Sequence, residues 1–242
     1  EISACLVGSE MCIRDSRESG ILVSGIVGGL YSSTATISVL ARKSRKVSAQ
    51  EAPEYVAAML LAVSMMFLRF LILIGIFSVG ALTAIYPYLL IMSAVAAGTA
   101  WFLHSRWKRP AMSETVDEDE DGSNPLEFKV ALIFAVLFVV FTIATHYTLI
   151  YAGEGGLTLL SFVSGFSDIT PFILNLLQGT GNVPVSLITA CSMQAIVSNI
   201  AVNMCYALFF SGKKSPLRSW VLRGFGCVIA ANVFLLLFFY FL

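Results

Sequence analysis

Seven stretches of about 20 or more mainly apolar residues follow one another along the chain, separated by short polar or glycine-containing segments. A helix needs about 20 such residues to cross the roughly 30 Å hydrocarbon core of a bilayer. The pattern therefore predicts an all-α, polytopic helical membrane protein. The seven segments, numbered one to seven, are Gly20–Leu40, Glu54–Val79, Leu82–Leu103, Leu126–Tyr151, Leu157–Gln178, Val185–Phe210 and Ser219–Leu242.

Segments one and five differ from the others because small and polar residues occupy their centres, GIVGGLYSSTATI and SFVSGFSDITPF. Such centres are poor lipid-facing surfaces, and non-helical backbone at membrane depth needs protein or a cavity around it. We expect both segments to be broken or re-entrant. When the two are aligned so that Gly29 coincides with Gly165, they match at several further positions, among them Thr34 with Thr170. This match predicts an internal repeat.

The positions of lysine and arginine favour an inverted orientation of the two halves, because these residues mark the cytoplasmic ends of membrane segments. If all seven segments crossed, the basic cluster after segment six would lie outside. If segments one and five enter and return, every cluster lies inside. The halves are then inverted copies, provided that the missing N-terminal part supplies a helix equivalent to segment four. Transporters build a midplane site from broken helices in this architecture. Seven plain crossings with one exceptional loop remain the alternative.

Composition excludes a soluble globular protein, because 57% of the residues are hydrophobic and only 12% are charged. The run LVGSEMCIRDS at residues 6–16 looks like the translation of a sequencing-library adapter, so residues 1–16 are set aside as non-native. The remaining chain has 14 basic and 12 acidic residues. We therefore expect the native N-terminus to lie upstream of this sequence.

The polar stretches divide the native part of the chain into two membrane halves. Residues 17–103 form the first half with three segments, and residues 126–242 form the second with four. Between them, residues 104–125 carry six acids from Glu114 to Asp121, which predicts a flexible, acidic cytoplasmic loop. Three cysteines remain after residue 16, an odd number without the paired spacing of disulfides or zinc sites.

Two charged residues lie deep within predicted spans, Arg69 in segment two and Asp168 in segment five. Each costs roughly 2.5–3.5 kcal/mol at a helix centre on insertion scales, so such residues usually pair or face a cavity. We expect Arg69 and Asp168 to approach one another. An ion pair that locks two segments together and a role for Asp168 as an ion or proton ligand both remain open.

Two further groups of polar residues are candidates for a site. The hydroxyls of Ser32, Ser33, Thr34 and Thr36 would suit a bound ion. Tight helix packing is the alternative and stays equally open, because small residues four apart form two rows, Ser24–Gly28–Ser32 and Gly25–Gly29–Ser33. On segment six, Asn199 and Asn203 share one helix face, as residues four apart do. They are either interhelical hydrogen-bonding groups or part of a wet, pore-lining face.

Four runs carry a resemblance to a known family: GGLYSSTATISVLARKSR (28–45), MMFLR (65–69), NPLEFKVAL (124–132) and SGFSDIT (164–170). In these runs the sequence resembles the C-terminal membrane domain of MgtC/SapB-type proteins. The resemblance implies a missing N-terminal MgtC-like membrane domain as partner and a link to magnesium homeostasis. The family pattern has a second aspartate two positions after the one matching Asp168. Here Thr170 stands at that position, which weakens a paired-carboxylate ion site.

The leading hypothesis is a multi-pass transporter-like domain of the bacterial inner membrane, moving or sensing a small ion or solute. Its predicted site residues are Ser32, Ser33, Thr34, Thr36, Arg69, Asp168, Thr170, Asn199 and Asn203. The alternative is a non-transporting accessory protein that acts through helix contacts with a partner. The sequence contains no HExxH, GxSxG, GxxxxGK or CxxC motif, so we expect no enzyme activity and no cofactor. We expect lipid and no nucleic acid as partner; a homo-oligomer and a metal ligand set are left open.

Overall fold

The computed structural model describes residues 2–106, 126–166, 169–178, 184–212 and 215–241. Within these ranges every regular element is a helix, as the apolar pattern predicts. A short 3₁₀ turn, Ser44–Lys46, follows the first helix. The α-helices are α1 (Ile2–Lys43), α2 (Ala52–Phe77), α3 (Val79–Arg106), α4 (Leu126–Ser164), α5 (Ile169–Gln178), α6 (Val185–Ser211) and α7 (Leu217–Phe241).

Five stretches of the described helices are long and apolar enough to cross a bilayer: Gly20–Lys43, Ala52–Phe77, Val79–Ser105, Val185–Ser211 and Leu217–Phe238. Large apolar side chains stand on their outer surfaces; Ile76, Trp101 and Phe209 are each 73% exposed. A soluble protein would bury such side chains, whereas lipid covers them without cost. The chain is a multi-pass membrane protein. The predicted number of seven segments is not confirmed, because α4 and α5 divide the predicted fifth segment into two short helices, Gly155–Ser164 and Ile169–Gln178.

Helix α1 is broken at Ser32, where the backbone is extended (φ −156°, ψ 109°). A methyl group added at Gly28 would lie 2.5 Å from Thr36 Oγ1. In a straight helix, residues eight positions apart are separated by about 12 Å along the axis. Residues 33–43 therefore fold back beside residues 20–31, and segment one is a helical hairpin, called hairpin 1 below. Because the chain reverses at Ser32, Gly20–Lys43 does not form one straight span, although its length would allow one.

Helix α4 is broken at Gly153, which adopts φ 58° and ψ −148°. This backbone conformation is open essentially to glycine alone. The break separates residues 126–152 from the half-length helix Gly155–Ser164, close to the predicted boundary between segments four and five. A turn at Gly165 and Phe166 follows, and α5 begins at Ile169. Segment five is therefore broken, as its polar centre predicts; residues 155–178 are called broken segment 2 below.

The chain forms two compact units. The first contains Glu1–Leu73, Tyr86–Trp107 and Ile200–Leu242. Its core is closed by polar bonds between helices: Ser64 Oγ lies 2.9 Å from Ser93 Oγ, and the Tyr88 hydroxyl donates to Asn232 Oδ1. All four of these side chains are buried, so these hydroxyl and amide groups find their partners inside the helix bundle.

The second unit contains Ile74–Ile85 and Lys108–Asn199. Helix α5 is its most buried element, with seven of its ten residues buried. The Phe141 ring meets the Phe172 ring edge to face, with centroids 6.0 Å apart. One residue further along α4, Thr142 Oγ1 donates to Asn175 Oδ1 at 2.6 Å. These contacts fix α5 against the first half of α4.

Candidate functional site

The tip of hairpin 1 is built by the hydroxyl residues predicted from sequence. Ser32 Oγ accepts a hydrogen bond from the Ala35 N–H at 3.3 Å, which makes Ser32 the N-cap of the second leg. Thr36 Oγ1 donates to the Ser32 carbonyl at 2.8 Å. Ser33 is buried, and Ser38 Oγ donates to the Thr34 carbonyl at 2.8 Å. The four predicted residues therefore lie together where the two legs meet.

Arg69 of α2 supports this tip from outside the hairpin. Its Nη1 donates to the Tyr31 carbonyl at 2.7 Å, at the last residue of the first leg. The carbonyls at a helix C-terminus have no partner within the helix and carry partial negative charge, so a guanidinium is well suited to them. The sequence indicated a polar partner for Arg69, but a backbone carbonyl has no signature in the sequence and this bond was not predicted.

Asp168, the predicted partner of Arg69, lies outside the described residues together with Ser167. The Arg69–Asp168 pair therefore stays a prediction. Its neighbours on α5 are described: Thr170 and Pro171 are both buried in the first turn of the helix. Proline suits this position because the first turn of a helix has no partner for its N–H groups. Thr170 is thus placed at the start of the second half of broken segment 2.

Glycines let the first leg of hairpin 1 lie directly against α2. A methyl group at Gly25 would overlap the Ala58 carbonyl oxygen, and one at Gly29 would lie 2.5 Å from Ala62 Cα. Gly28 faces the second leg of its own hairpin instead, as described above. The packing interpretation of the glycine rows is therefore correct for these three positions, while the hydroxyl cluster occupies the tip beyond them.

Polar side chains of α6 support broken segment 2 in the same manner. Ser198 Oγ donates to the Phe162 carbonyl at 2.8 Å, and Asn199 Nδ2 donates to the Gly165 carbonyl at 3.2 Å. Both carbonyls lie where the first half of the segment ends and lacks helical partners. A methyl group at Gly165 would overlap Ser198 Oγ, so the two backbones are in close contact. Asn199 therefore acts as a helix-end partner.

The second predicted asparagine is placed differently. Asn203 is fully buried in the part of α6 that belongs to the first compact unit, whereas Asn199 belongs to the second. The described contacts therefore tie only Asn199 to a broken segment. Sequence reasoning did not select Asn175, whose Nδ2 donates to the Pro171 carbonyl at 2.9 Å while its Oδ1 accepts from Thr142. A single amide in an apolar run gives no sign of its partner.

Comparison with known proteins gives a family for this chain. Residues 4–211 match the family described as "Domain of unknown function (DUF4010)". The chain belongs to this family. The DUF4010 match spans hairpin 1, broken segment 2 and the supporting helices α2 and α6. It begins at residue 4, within residues 1–16, the stretch that is expected to be non-native. The link to MgtC/SapB-type proteins stays an expectation from the sequence.

A relative of this DUF4010 chain is an "Uncharacterized protein" of Aquifex aeolicus (strain VF5). The two sequences are 26% identical over 200 residues, which is 80% of this chain and 84% of the relative. No solved structure matches the chain. Among the described residues of this DUF4010 domain, no three His, Cys, Asp or Glu side chains lie together as a metal site would require.

Proposed function

We propose that this domain is a membrane transport module in which hairpin 1 and broken segment 2 carry the solute-contacting groups. The observation behind the proposal is the recurrence of the same break at the offset that aligns Gly29 with Gly165. Ser32, where α1 breaks, is equivalent at this offset to Asp168, between α4 and α5. The second leg of hairpin 1, residues 33–43, corresponds to 169–179, and α5 occupies Ile169–Gln178.

The contacts beside the two breaks are equivalent at the same offset. Gly29 lies against Ala62 in the first unit, and Gly165 lies against Ser198 in the second. The offset from Gly29 to Gly165 is also the offset from Ala62 to Ser198, although the sequence match concerned only segments one and five. The pairs include residues of α2 and α6, so the equivalence extends beyond the broken segments into the helices that support them.

The remaining helices continue the repeat. At the same offset, α2 (Ala52–Phe77) corresponds to 188–213, close to α6 (Val185–Ser211). Helix α3 (Val79–Arg106) corresponds to 215–242, close to α7 (Leu217–Phe241). A constant offset over three successive elements supports duplication of one structural unit.

The charge distribution supports an inverted relation between the two copies. Basic residues follow hairpin 1, whereas the residues after its equivalent α5, 179–184, contain no lysine or arginine. The opposite holds one helix later, because Lys213 and Lys214 follow α6 while no basic residue lies between α2 and α3. Since lysine and arginine mark the cytoplasmic side, equivalent ends of the two copies face opposite sides in the proposed arrangement.

The inverted orientation predicts opposite exposure of equivalent positions. Val79 and Ser215 correspond at the offset of the repeat and lie at the start of equivalent helices. With single cysteines in a cysteine-free background, we expect a membrane-impermeant maleimide applied to intact cells to label Val79→Cys and to leave Ser215→Cys unlabelled until the membrane is opened. Gln178→Cys and Arg42→Cys form a second equivalent pair with the same expected contrast. Labelling of Val79→Cys and Ser215→Cys from one side would show that the repeat is not inverted.

Broken helices support a transport role because they expose backbone groups and short polar side chains at membrane depth, where solutes can be bound without water. Ser32, Ser33, Thr34 and Thr36 supply such groups in hairpin 1, with Arg69 fixing the preceding carbonyl. In broken segment 2, Asp168 and Thr170 are the corresponding proposed residues, and Asn199 fixes the preceding carbonyl. The proposed link to ion homeostasis rests only on the sequence resemblance to MgtC/SapB-type proteins.

Flux measurements test the transport function. The intact protein, reconstituted into liposomes, should carry at least one of four probes, Na⁺, Mg²⁺, chloride or inorganic phosphate, faster than empty liposomes. We expect Thr34→Val at the hairpin tip and Asp168→Asn to reduce that flux at least tenfold. Ser24→Ala is the matched control, because the described bond of Ser24 is to the Gly20 carbonyl within the first leg. Flux equal to that of empty liposomes for all four probes would contradict transport and favour the accessory role.

A further inference from the structure

Three arginines from two distant parts of the sequence gather around the last turn of α6. Arg45 Nε donates to the Phe210 carbonyl at 2.5 Å, and Arg218 Nη1 donates to the Leu208 carbonyl at 3.4 Å. The Arg42 guanidinium carbon lies over the Phe210 ring, 4.5 Å from its centroid. All of these residues belong to the first compact unit. The three arginines are called the α6-end cluster below.

Two of these contacts follow from the electrostatics of a helix end. Helix α6 ends at Ser211, and Gly212 takes the positive φ of 91° that is common directly after a helix. The last carbonyls carry partial negative charge, which favours nearby cations. Arg45 and Arg218 satisfy two of these carbonyls, one each. Arg42 has no such role, because its described contact is with the face of an aromatic ring.

The cluster carries more positive charge than its described contacts neutralise. Every contact given for its members is with α6 backbone or with a ring, and none of these contacts is with a carboxylate. Arg42 and Arg45 are exposed, and Lys43 between them is exposed as well. The C-terminus of a helix carries only about half a negative charge, so it balances a small part of the positive charge of the cluster. An anion from the surroundings can balance the rest.

The position of the cluster identifies the source of that anion. It lies where hairpin 1 and the apolar span Val185–Ser211 end and the span Leu217–Phe238 begins, which is the depth of the lipid headgroups. On α7, the Arg223 guanidinium stacks over the Trp220 ring at 5.3 Å, an aromatic contact typical of the membrane interface. Basic groups between membrane helices at this depth are suited to anionic headgroups.

We propose that the α6-end cluster is a binding site for the phosphodiester of an anionic phospholipid, with Arg42 and Arg45 as its main cationic groups. The guanidinium groups contact the phosphate oxygens, for which their planar fork of N–H donors is well suited. The apolar outer surfaces of α6 and α7 then face the acyl chains. This site is independent of the proposed transport function, since it lies at a helix end and involves no residue of the hairpin tip.

Lipid binding by the purified full chain tests this site. Native mass spectrometry with phosphatidylglycerol or phosphatidylcholine added to the detergent gives an apparent affinity for each lipid. We expect phosphatidylglycerol to be retained preferentially and Arg42→Gln to weaken its binding about fivefold, the effect expected for one charge at a membrane surface. Arg42 is the informative position because its described contact includes no backbone carbonyl that the variant would leave without a donor.

Arg106→Gln at the end of α3 is the matched control, because it removes the same charge from a different helix end. If Arg42→Gln and Arg106→Gln lower the affinity for phosphatidylglycerol equally, the lipid is attracted to the basic surface as a whole and the local site is contradicted. Equal retention of the two lipids would also overturn it. Displacement of phosphatidylglycerol by millimolar inorganic phosphate would identify a site for free phosphate instead of lipid.

Discussion

Gly29→Ala and Gly165→Ala should each destabilise the protein markedly, whereas Gly98→Ala should not. The methyl group added at Gly29 would lie 2.5 Å from Ala62 Cα. The one added at Gly165 would lie 2.8 Å from the Asn199 backbone nitrogen and would overlap Ser198 Oγ. Non-bonded atoms do not approach so closely, so the paired helices must separate. Overpacking of this kind typically costs about 1–3 kcal/mol. Backbone contacts leave little room for relief, so we expect the upper part of that range.

Gly98 in α3 is the matched control, because nothing lies within 4 Å of a methyl group added there. Alanine also has a higher helix propensity than glycine by about 1 kcal/mol, which makes Gly98→Ala neutral or stabilising. Thermal unfolding of the purified protein in detergent measures all three variants. Unchanged melting temperatures for Gly29→Ala and Gly165→Ala would show that the close approach of these helices does not contribute to stability.

Arg69→Met should destabilise hairpin 1 and remove the proposed flux. The variant takes the donor away from the Tyr31 carbonyl, which Arg69 Nη1 contacts at 2.7 Å. A polar group left without its partner in an apolar environment costs about 1–3 kcal/mol. Arg69→Lys retains a positive charge and a donor, so we expect it to recover part of the melting temperature. Arg223→Gln is the matched control, since Arg223 is exposed and its described contact is the Trp220 ring.

The same series tests the predicted Arg69–Asp168 pair. If the two residues pair, Arg69→Ala combined with Asp168→Ala should be better tolerated than the worse single variant, because the double change leaves no uncompensated charge. A double variant no more stable than the worse single variant contradicts the pair. In that case the bond from Arg69 to the Tyr31 carbonyl would account for the position of this charge within the membrane span.

Much of the helical architecture can be predicted from the sequence because lipid imposes simple rules. Apolar runs of about 20 residues mark the spans, and the polar centre of segment one predicts the break found at Ser32. The helix break at Gly153 separates segments four and five near the predicted boundary. The number of crossing segments cannot be predicted equally well, because a hairpin and a continuous span of the same length have the same composition.

The partners of the polar residues could be predicted only in part. Asn199, predicted to be either an interhelical hydrogen-bonding group or pore-lining, donates to the Gly165 carbonyl, and Arg69 donates to the Tyr31 carbonyl. Every residue has a backbone carbonyl, so only the fold determines which carbonyl lacks a helical partner. The close contact of Gly29 with Ala62 could not be predicted either. A row of small residues indicates close helix packing but does not show which helix packs against it.

Gly153 gives α4 a bend that depends on this residue type. Its backbone conformation requires glycine, but no atom lies within 4 Å of a methyl group added at this position. The glycine is therefore needed for its dihedral angles and not for close packing. Rotation about these two bonds is opposed by packing across the break, because a methyl group added at Gly156 would overlap Ala152 Cβ and would lie 2.7 Å from Thr148 Cγ2. Gly153 is thus a fixed corner, whose dihedral angles set the direction in which Gly155–Ser164 leaves the axis of residues 126–152.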